Sequence, residues 1–377
     1  MLLTQEQEMI RDMARDFARR RLAPYSAEWE RTSTFPKDAL KEMGALGFLG
    51  MTVPSEWGGA NADYVAYALA LEEIAAGDGA VSTIMSGHNS VGCMPILEYG
   101  TTPQKEKYLR PMASGAQLCA FCLTEPQSGS DASALQTTAK RRGDCYVLNG
   151  TKQFITTGKN ADLALVFAVT DPGAGKRGIS AFIAETSRPG YRIGRIEKKM
   201  GQNASDTCEI HFDDLELPVE NRLGDEGQGY RIALSNLEGG RIGIAAQSVG
   251  MARAAMEIAI GYAQERKSFG KRIIEHQAVA FRLADMATGV EASRQLVLHA
   301  ATLRSSGLSC LQEASMAKLF ATETAERVCS DAIQTLGGAG YMEESGVERI
   351  FRAVRGAKIY EGTNDIQRLV ISRALVA

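Results

Sequence analysis

CYVLNGTKQFIT at residues 145–156, followed by LALVFAV at 163–169, ISAFIAE at 179–185 and TCEIHF at 207–212, decides how this chain is partitioned. These short runs are rich in β-branched and aromatic residues, and Gly, Pro, Asn and Asp separate them, so they read as strands. Asn149-Gly150 carries a two-residue hairpin signal. A β domain is therefore expected over about 119–225. On either side the period changes. Residues 1–118 repeat apolar positions every three to five, as in Met9, Met13 and Phe17 or Leu69 and Ile74, with breaks at Pro36, Pro54 and Gly58-Gly59, which predicts a helical domain. From 226 to 377 the helical period returns, and four helices are expected over about 227–267, 275–306, 310–336 and 364–376, bundled together. Helices, then strands, then helices make an α+β chain with segregated layers: an N-terminal α domain, a middle β-barrel or sandwich, and a C-terminal four-helix bundle. No G-x-G-x-x-G follows a strand, which disfavours a Rossmann domain.

With 377 residues the chain is long enough for more than one core, and its 45% hydrophobic and 23% charged residues exclude a disordered chain. A formal charge of −3 supplies no general attraction to nucleic acid or anionic membrane. No apolar stretch approaches the roughly 20 residues of a membrane span, and the N-terminus turns charged too soon for a secretory signal. A cytosolic or matrix-like location is expected. Seven scattered cysteines favour a reducing compartment. Cys119-x-x-Cys122 lacks a second pair, and its apolar surroundings make it a buried strand; the four histidines are far apart, so no metal is expected.

Two segments carry candidate chemistry. LTEPQSGSD at 123–131 follows an apolar strand; it is either a ligand-binding turn with the hydroxyls of Thr124 and Ser130 or a solvated one. In KIYEGTNDIQR at 358–368, Thr363 or Asn364 caps a helix, which puts Glu361 just outside its start. Glu361 is then either a positioned general base or a solvent-facing acid. QTLGGAGY at 334–341 ends a helix in a glycine C-cap.

TEPQSGSD, KQFITTG (152–158), GRIGIAAQ (240–247), ERKSFGKRI (265–273), QTLGGAGY and IYEGTNDIQR, in this order and spacing, resemble the acyl-CoA dehydrogenases over essentially the whole chain. The resemblance implies α,β-desaturation of an acyl-CoA thioester, with Glu361 removing the α-proton and a hydride passing to flavin N5. It implies FAD, with Leu123 and Thr124 at the pyrimidine edge, Ser130 at the pyrophosphate, Phe154 and Thr156 at the isoalloxazine, and Thr363 and Asp365 at the far end. Arg266, Phe269, Gln277, Gln334, Gly337 and Gly338 are expected on the FAD of a neighbouring subunit, hence a homotetramer. Ser130, Glu238, Arg241, Tyr360 and Gly362 are the expected substrate contacts, and Arg241 is an active-site arginine beside the base. Family members with the base elsewhere carry an acid just before that arginine, where this chain has Gly240. Phe154 replaces the commoner Trp, while Asn203 and Ala353-Val354-Arg355 also depart from the family pattern. An electron-transferring flavoprotein is the implied acceptor. The segment 237–241 with IGIAAQ resembles short-chain and short-branched members, and Ile84, Met85 and Val91 are expected at the pocket floor. The competing readings are an oxygen-using or non-redox flavoenzyme and a silent acyl-CoA-binding protein; retention of Glu361 argues against the last.

Overall fold

The computed structural model describes residues 2–376. The first layer holds α1 (Gln5–Phe17), α2 (Ala23–Thr32), α3 (Lys37–Ala45), α4 (Tyr64–Gly77), α5 (Gly79–Gly87), α6 (Met94–Tyr99) and the short turns α7 (Thr102–Gln104) and α8 (Arg110–Ala113). The strands are β1 (Cys119–Cys122), β2 (Thr138–Arg142), β3 (Cys145–Thr156), β4 (Leu163–Val169), β5 (Ile179–Glu185), β6 (Tyr191–Ile196), β7 (Thr207–Pro218) and β8 (Arg222–Leu223). The chain then returns to helix: α9 (Gly229–Ser235) and α10 (Leu237–Glu265), a small hairpin of β9 (Lys267–Ser268) and β10 (Lys271–Arg272), then α11 (Gln277–Ser305), α12 (Leu311–Leu336), α13 (Val347–Ala357) and α14 (Asn364–Ala374). The helix–strand–helix order expected from sequence texture is the architecture observed.

LALVFAV is apolar on both faces because β4 is covered on both. Leu163, Leu165 and Phe167 pack with Tyr108, Leu109 and Met112 of the N-terminal layer, whereas Ala164, Val166 and Ala168 meet Leu148, Phe182, Ile210 and Phe212 inside the curled sheet. The sheet runs β6-β7-β3-β2-β4-β5-β8, with β1 parallel to β4. That parallel pairing buries Cys119 and Cys122 in a strand as expected, and it sends residues 123–131 out at the strand's carboxyl end. Both are free thiols, pushed up in pKa by burial, that of Cys122 to about 12.

Four expectations need correction. Asn149-Gly150 is no hairpin turn; it lies inside β3 at a bulge, while the chain reverses between β2 and β3 at Gly143. The glycine is needed for proximity, because a Cβ there would lie 2.5 Å from Thr137 Oγ1. The helix expected over 227–267 is broken at Asn236, whose side-chain amide donates to Ile232 O (3.4 Å) and Ser235 Oγ (3.1 Å) in competition with the helical ladder. A helix not anticipated, α13, has an amphipathic face in Val347, Ile350, Phe351 and Val354. In α1, Met9 and Met13 are exposed, and the buried face is Gln7, Ala14 and Phe17.

In the helical core, α4 is buried almost throughout and packs on α10 and α11. Its buried acids are matched by bases from three helices: Glu73 pairs with Arg15 (2.8 Å) and Arg253 (2.7 Å), and Glu72 with Arg294 (2.6 Å). Alanines on α10 (245, 246, 255, 259, 263) and α12 (314, 317, 321, 325, 332) line the same core, which lets these two helices lie close.

Candidate active site

The turn between α13 and α14 carries Glu361. Thr363 caps α14 by accepting from Ile366 N (3.4 Å), which fixes where the helix begins. Just before it, Glu361 (φ 57°) and Gly362 (φ 86°) are both left-handed. A glycine takes this conformation freely and a glutamate does not, so the second is a default and the first is imposed. Gln367 Nε2 donates to Gly362 O (2.8 Å) and Glu361 O (3.3 Å), and Lys318 Nζ donates to Gly362 O (2.9 Å). On the preceding side, Tyr360 accepts from Gln202 Nε2 (3.0 Å) and donates to Gln247 Oε1 (3.3 Å), which ties the turn to α10 and to the loop before β7.

The Glu361 carboxylate lies against the backbone of α10. Its Oε2 is buried without a hydrogen-bond partner, and a Cβ on Gly240 would sit 2.6 Å from it. Burial pushes the carboxyl pKa up to about 7, opposed by the positive charges of Arg241 and Lys318. Arg241 is buried at the start of the second turn of α10; its Nη1 donates to Ser315 Oγ (3.2 Å) and its Nε has no partner. The arrangement is one carboxyl poised near neutrality in a dry space beside cations, which suits proton abstraction from a weak carbon acid. Glu238, one turn earlier on α10, is engaged by Arg304 (3.3 Å) and by the Cys310 thiol (3.7 Å).

A second cluster shapes the turn at 123–131. Lys152, buried in the middle of β3, donates to Glu125 Oε1 (2.7 Å) and Leu123 O (3.1 Å). Glu125 also accepts from Gln136 N (2.6 Å), Thr137 N (3.0 Å) and Gln127 Nε2 (2.7 Å). Burial alone would raise the carboxyl pKa, but Lys152 and these donors hold it below its ordinary value. Neither residue was singled out from the sequence, although a lysine at the centre of a strand otherwise half-buried was the available signal.

The remaining candidates fall into two groups. Leu123 and Thr124 leave the end of β1 partly buried, Ser130 is exposed, and Thr363 and Asp365 stand at the start of α14. Phe154 (φ 58°) sits at a register shift between β3 and β7, with Thr156 just beyond, and 58% of Phe154 stays exposed. Arg266 and Phe269 are on the β9–β10 hairpin, Gln277 opens α11, and Gln334, Gly337 and Gly338 end α12; all are exposed, Phe269 to 94%. Around the departures Asn203 and Ala353-Val354-Arg355 the ion pairs and hydrogen bonds are kept. Asn203 donates to Glu30 through its backbone (2.6 Å) and side chain (3.0 Å), Arg352 pairs with Glu30 (2.6 Å), and Arg355 with Glu326 (3.4 Å).

Residues 4–116, 120–215 and 227–376 match the N-terminal, middle and C-terminal domain models of the acyl-CoA dehydrogenases. The chain belongs to the acyl-CoA dehydrogenase family. It is similar to an acyl-CoA dehydrogenase of Bacillus subtilis (strain 168), 51% identical over 100% of this chain and 99% of that one. Among solved structures, a chain from a study of the electron transferring flavoprotein of Acidaminococcus fermentans is 47% identical with a TM-score of 0.98, covering 100% and 99% of the two chains. The butyryl-CoA dehydrogenase of Megasphaera elsdenii is 42% identical with a TM-score of 0.98 over 100% of both. As an acyl-CoA dehydrogenase the protein is a flavoprotein oxidoreductase, and among its described residues no helix is long and apolar enough to cross a membrane.

Proposed function

We propose that this enzyme dehydrogenates a short acyl-CoA, straight or carrying one methyl branch, to its trans-2-enoyl-CoA, with Glu361 as the base. One observation carries the reading: a buried, unpartnered carboxylate oxygen held against the backbone of α10 at Gly240. An acid in a dry site is a stronger base than one in water and is matched to an α-proton next to a thioester. The backbone N–H of Glu361 itself would stabilise charge that develops at the carbonyl oxygen, with Arg241 beside the carboxylate.

The residues present fit FAD. Phe154 is re-aimed by a bulge and left open to stack, and the Glu125–Lys152 pair holds the 123–131 turn from below while Ser130 stays accessible. Leu123, Thr124, Ser130, Phe154, Thr156, Thr363 and Asp365 would hold the cofactor, which supplies the hydride acceptor. The exposed Arg266, Phe269, Gln277, Gln334, Gly337 and Gly338 would complete the site of a neighbouring copy, in a homotetramer. The electrons leave to an electron-transferring flavoprotein, a reading supported by the A. fermentans relative.

A short substrate is supported by likeness to the M. elsdenii butyryl-CoA dehydrogenase and by bulky, buried Ile84, Met85 and Val91 on the helix assigned to the pocket floor. Anaerobic flavin bleaching and kcat/KM across butyryl-, isobutyryl-, 2-methylbutyryl-, octanoyl- and palmitoyl-CoA test the proposal. A maximum among the four- and five-carbon chains is expected. A maximum at octanoyl-CoA or longer rejects the short-chain reading, and no bleaching with any thioester rejects the reaction.

A further inference from the structure

Resting on the reading of Glu361 as base, we propose that Lys318 is a positioning residue of this site: its buried ammonium locks the turn that carries Glu361 and supplies the charge that favours the carboxylate form. Lys318 lies in the middle of α12 with no exposed surface. A buried lysine among alanines is costly unless its charge has a use. Its hydrogen bonds go to neutral oxygens, the Gly362 carbonyl and Asn364 Oδ1, both at 2.9 Å. Asn364 is itself oriented by donating to Thr322 Oγ1 and Glu323 Oε1, each at 3.0 Å, so its oxygen points to the lysine.

The turn needs such a clamp. A left-handed glutamate is strained by about 1 kcal/mol or more and persists only where its surroundings over-determine it. Lys318 and Gln367 converge on the next carbonyl and provide that constraint.

The charges around the ammonium come from three elements. Arg241 on α10 repels it, Lys358 on the turn repels it, and Glu323 on α12 and Glu361 attract it. Glu323 is already matched by Lys358, which also reaches Glu326, both at 2.6 Å. The charge of Lys318 is thus left to act on Glu361, and burial lowers its own pKa to about 7.

The test uses flavin-loaded enzyme and compares Lys318→Met, Lys318→Gln and Lys318→Arg with Glu361→Gln. Lys318→Met is expected to keep its flavin and assembly, to lose about tenfold or more in kcat with KM within about threefold, and to shift the acidic limb of kcat/KM to higher pH. Lys318→Arg, which keeps the charge, should restore the limb toward its wild-type position. Wild-type kcat and limb in flavin-loaded Lys318→Met would overturn the proposal. So would loss of flavin in both Lys318→Met and Lys318→Gln, since that marks a role in stability alone. An active Glu361→Gln would instead sink the base assignment, and an inactive one beside an unaltered Lys318→Met would sink only this inference.

Discussion

The Cβ that Gly240 lacks would lie 2.6 Å from Oε2 of Glu361, so the side chain absent from α10 is the space the carboxylate occupies. A side chain at position 240 and the carboxylate of Glu361 compete for a single volume. The obstacle would be the tip of a flexible side chain, so a substitution at 240 should move the carboxylate and leave the fold intact.

Gly240→Ala is therefore expected to raise or preserve thermal stability, since alanine in a helix interior gains up to about 1 kcal/mol over glycine. Its kcat should fall at least about tenfold, because displacement of a base by even 1 Å is costly. Unchanged kcat with unchanged Tm would show that the carboxylate tolerates the intrusion.

Glu361→Gln preserves shape and removes the base, and should lose about 10²- to 10⁴-fold in rate while retaining flavin. With Glu361 as the proposed base, the form expected to be active is the carboxylate. With the carboxyl near 7, activity should rise with pH through about 7, well above the range of an ordinary glutamate near 4.3. The same shift means the folded state holds this proton more tightly than the unfolded chain, so ionisation subtracts stability as pH rises from about 4.5 to about 7. Glu361→Gln should flatten that part of the stability curve. A rate profile level from pH 5 to 8 would contradict the assignment.

Lys152→Met leaves Glu125 as an uncompensated buried acid and is expected to destabilise by about 3–5 kcal/mol, with loss of flavin from the turn at 123–131. Lys152→Met with Glu125→Gln should recover part of the stability, since the stranded charge is then gone. Equal Tm for the single variant and the wild type would mean the pair does not hold the turn.

Arg266→Ala should weaken flavin retention on dilution, as expected where one subunit completes another's cofactor site and binding and assembly reinforce each other. Absorbance at the flavin band across a concentration series reads this directly. Full retention in the dissociated protein would remove the shared site.

The sequence by itself determined the layers. Short apolar runs such as LALVFAV and helical periods on either side report local preference and burial, and the capping signal at Thr363-Asn364 put Glu361 just before a helix because capping chemistry is local. Local chemistry left the segments at 123–131 and 358–368 as either site or solvated turn, and only their resemblance to a family assigned them roles. What only the tertiary structure decided are relations between residues far apart in the chain. Asn149-Gly150 has the chemistry of a turn, yet Thr137 presses on it within a strand; Asn236 breaks a helix that its periodicity would continue. Lys318 carries no signal in the sequence and Lys152 only that of a lysine within a strand, until folding strips their water and leaves each one carbonyl and one side-chain oxygen. Whether Glu361 was a buried carboxyl or a surface acid turned on packing against a glycine 121 positions away on α10.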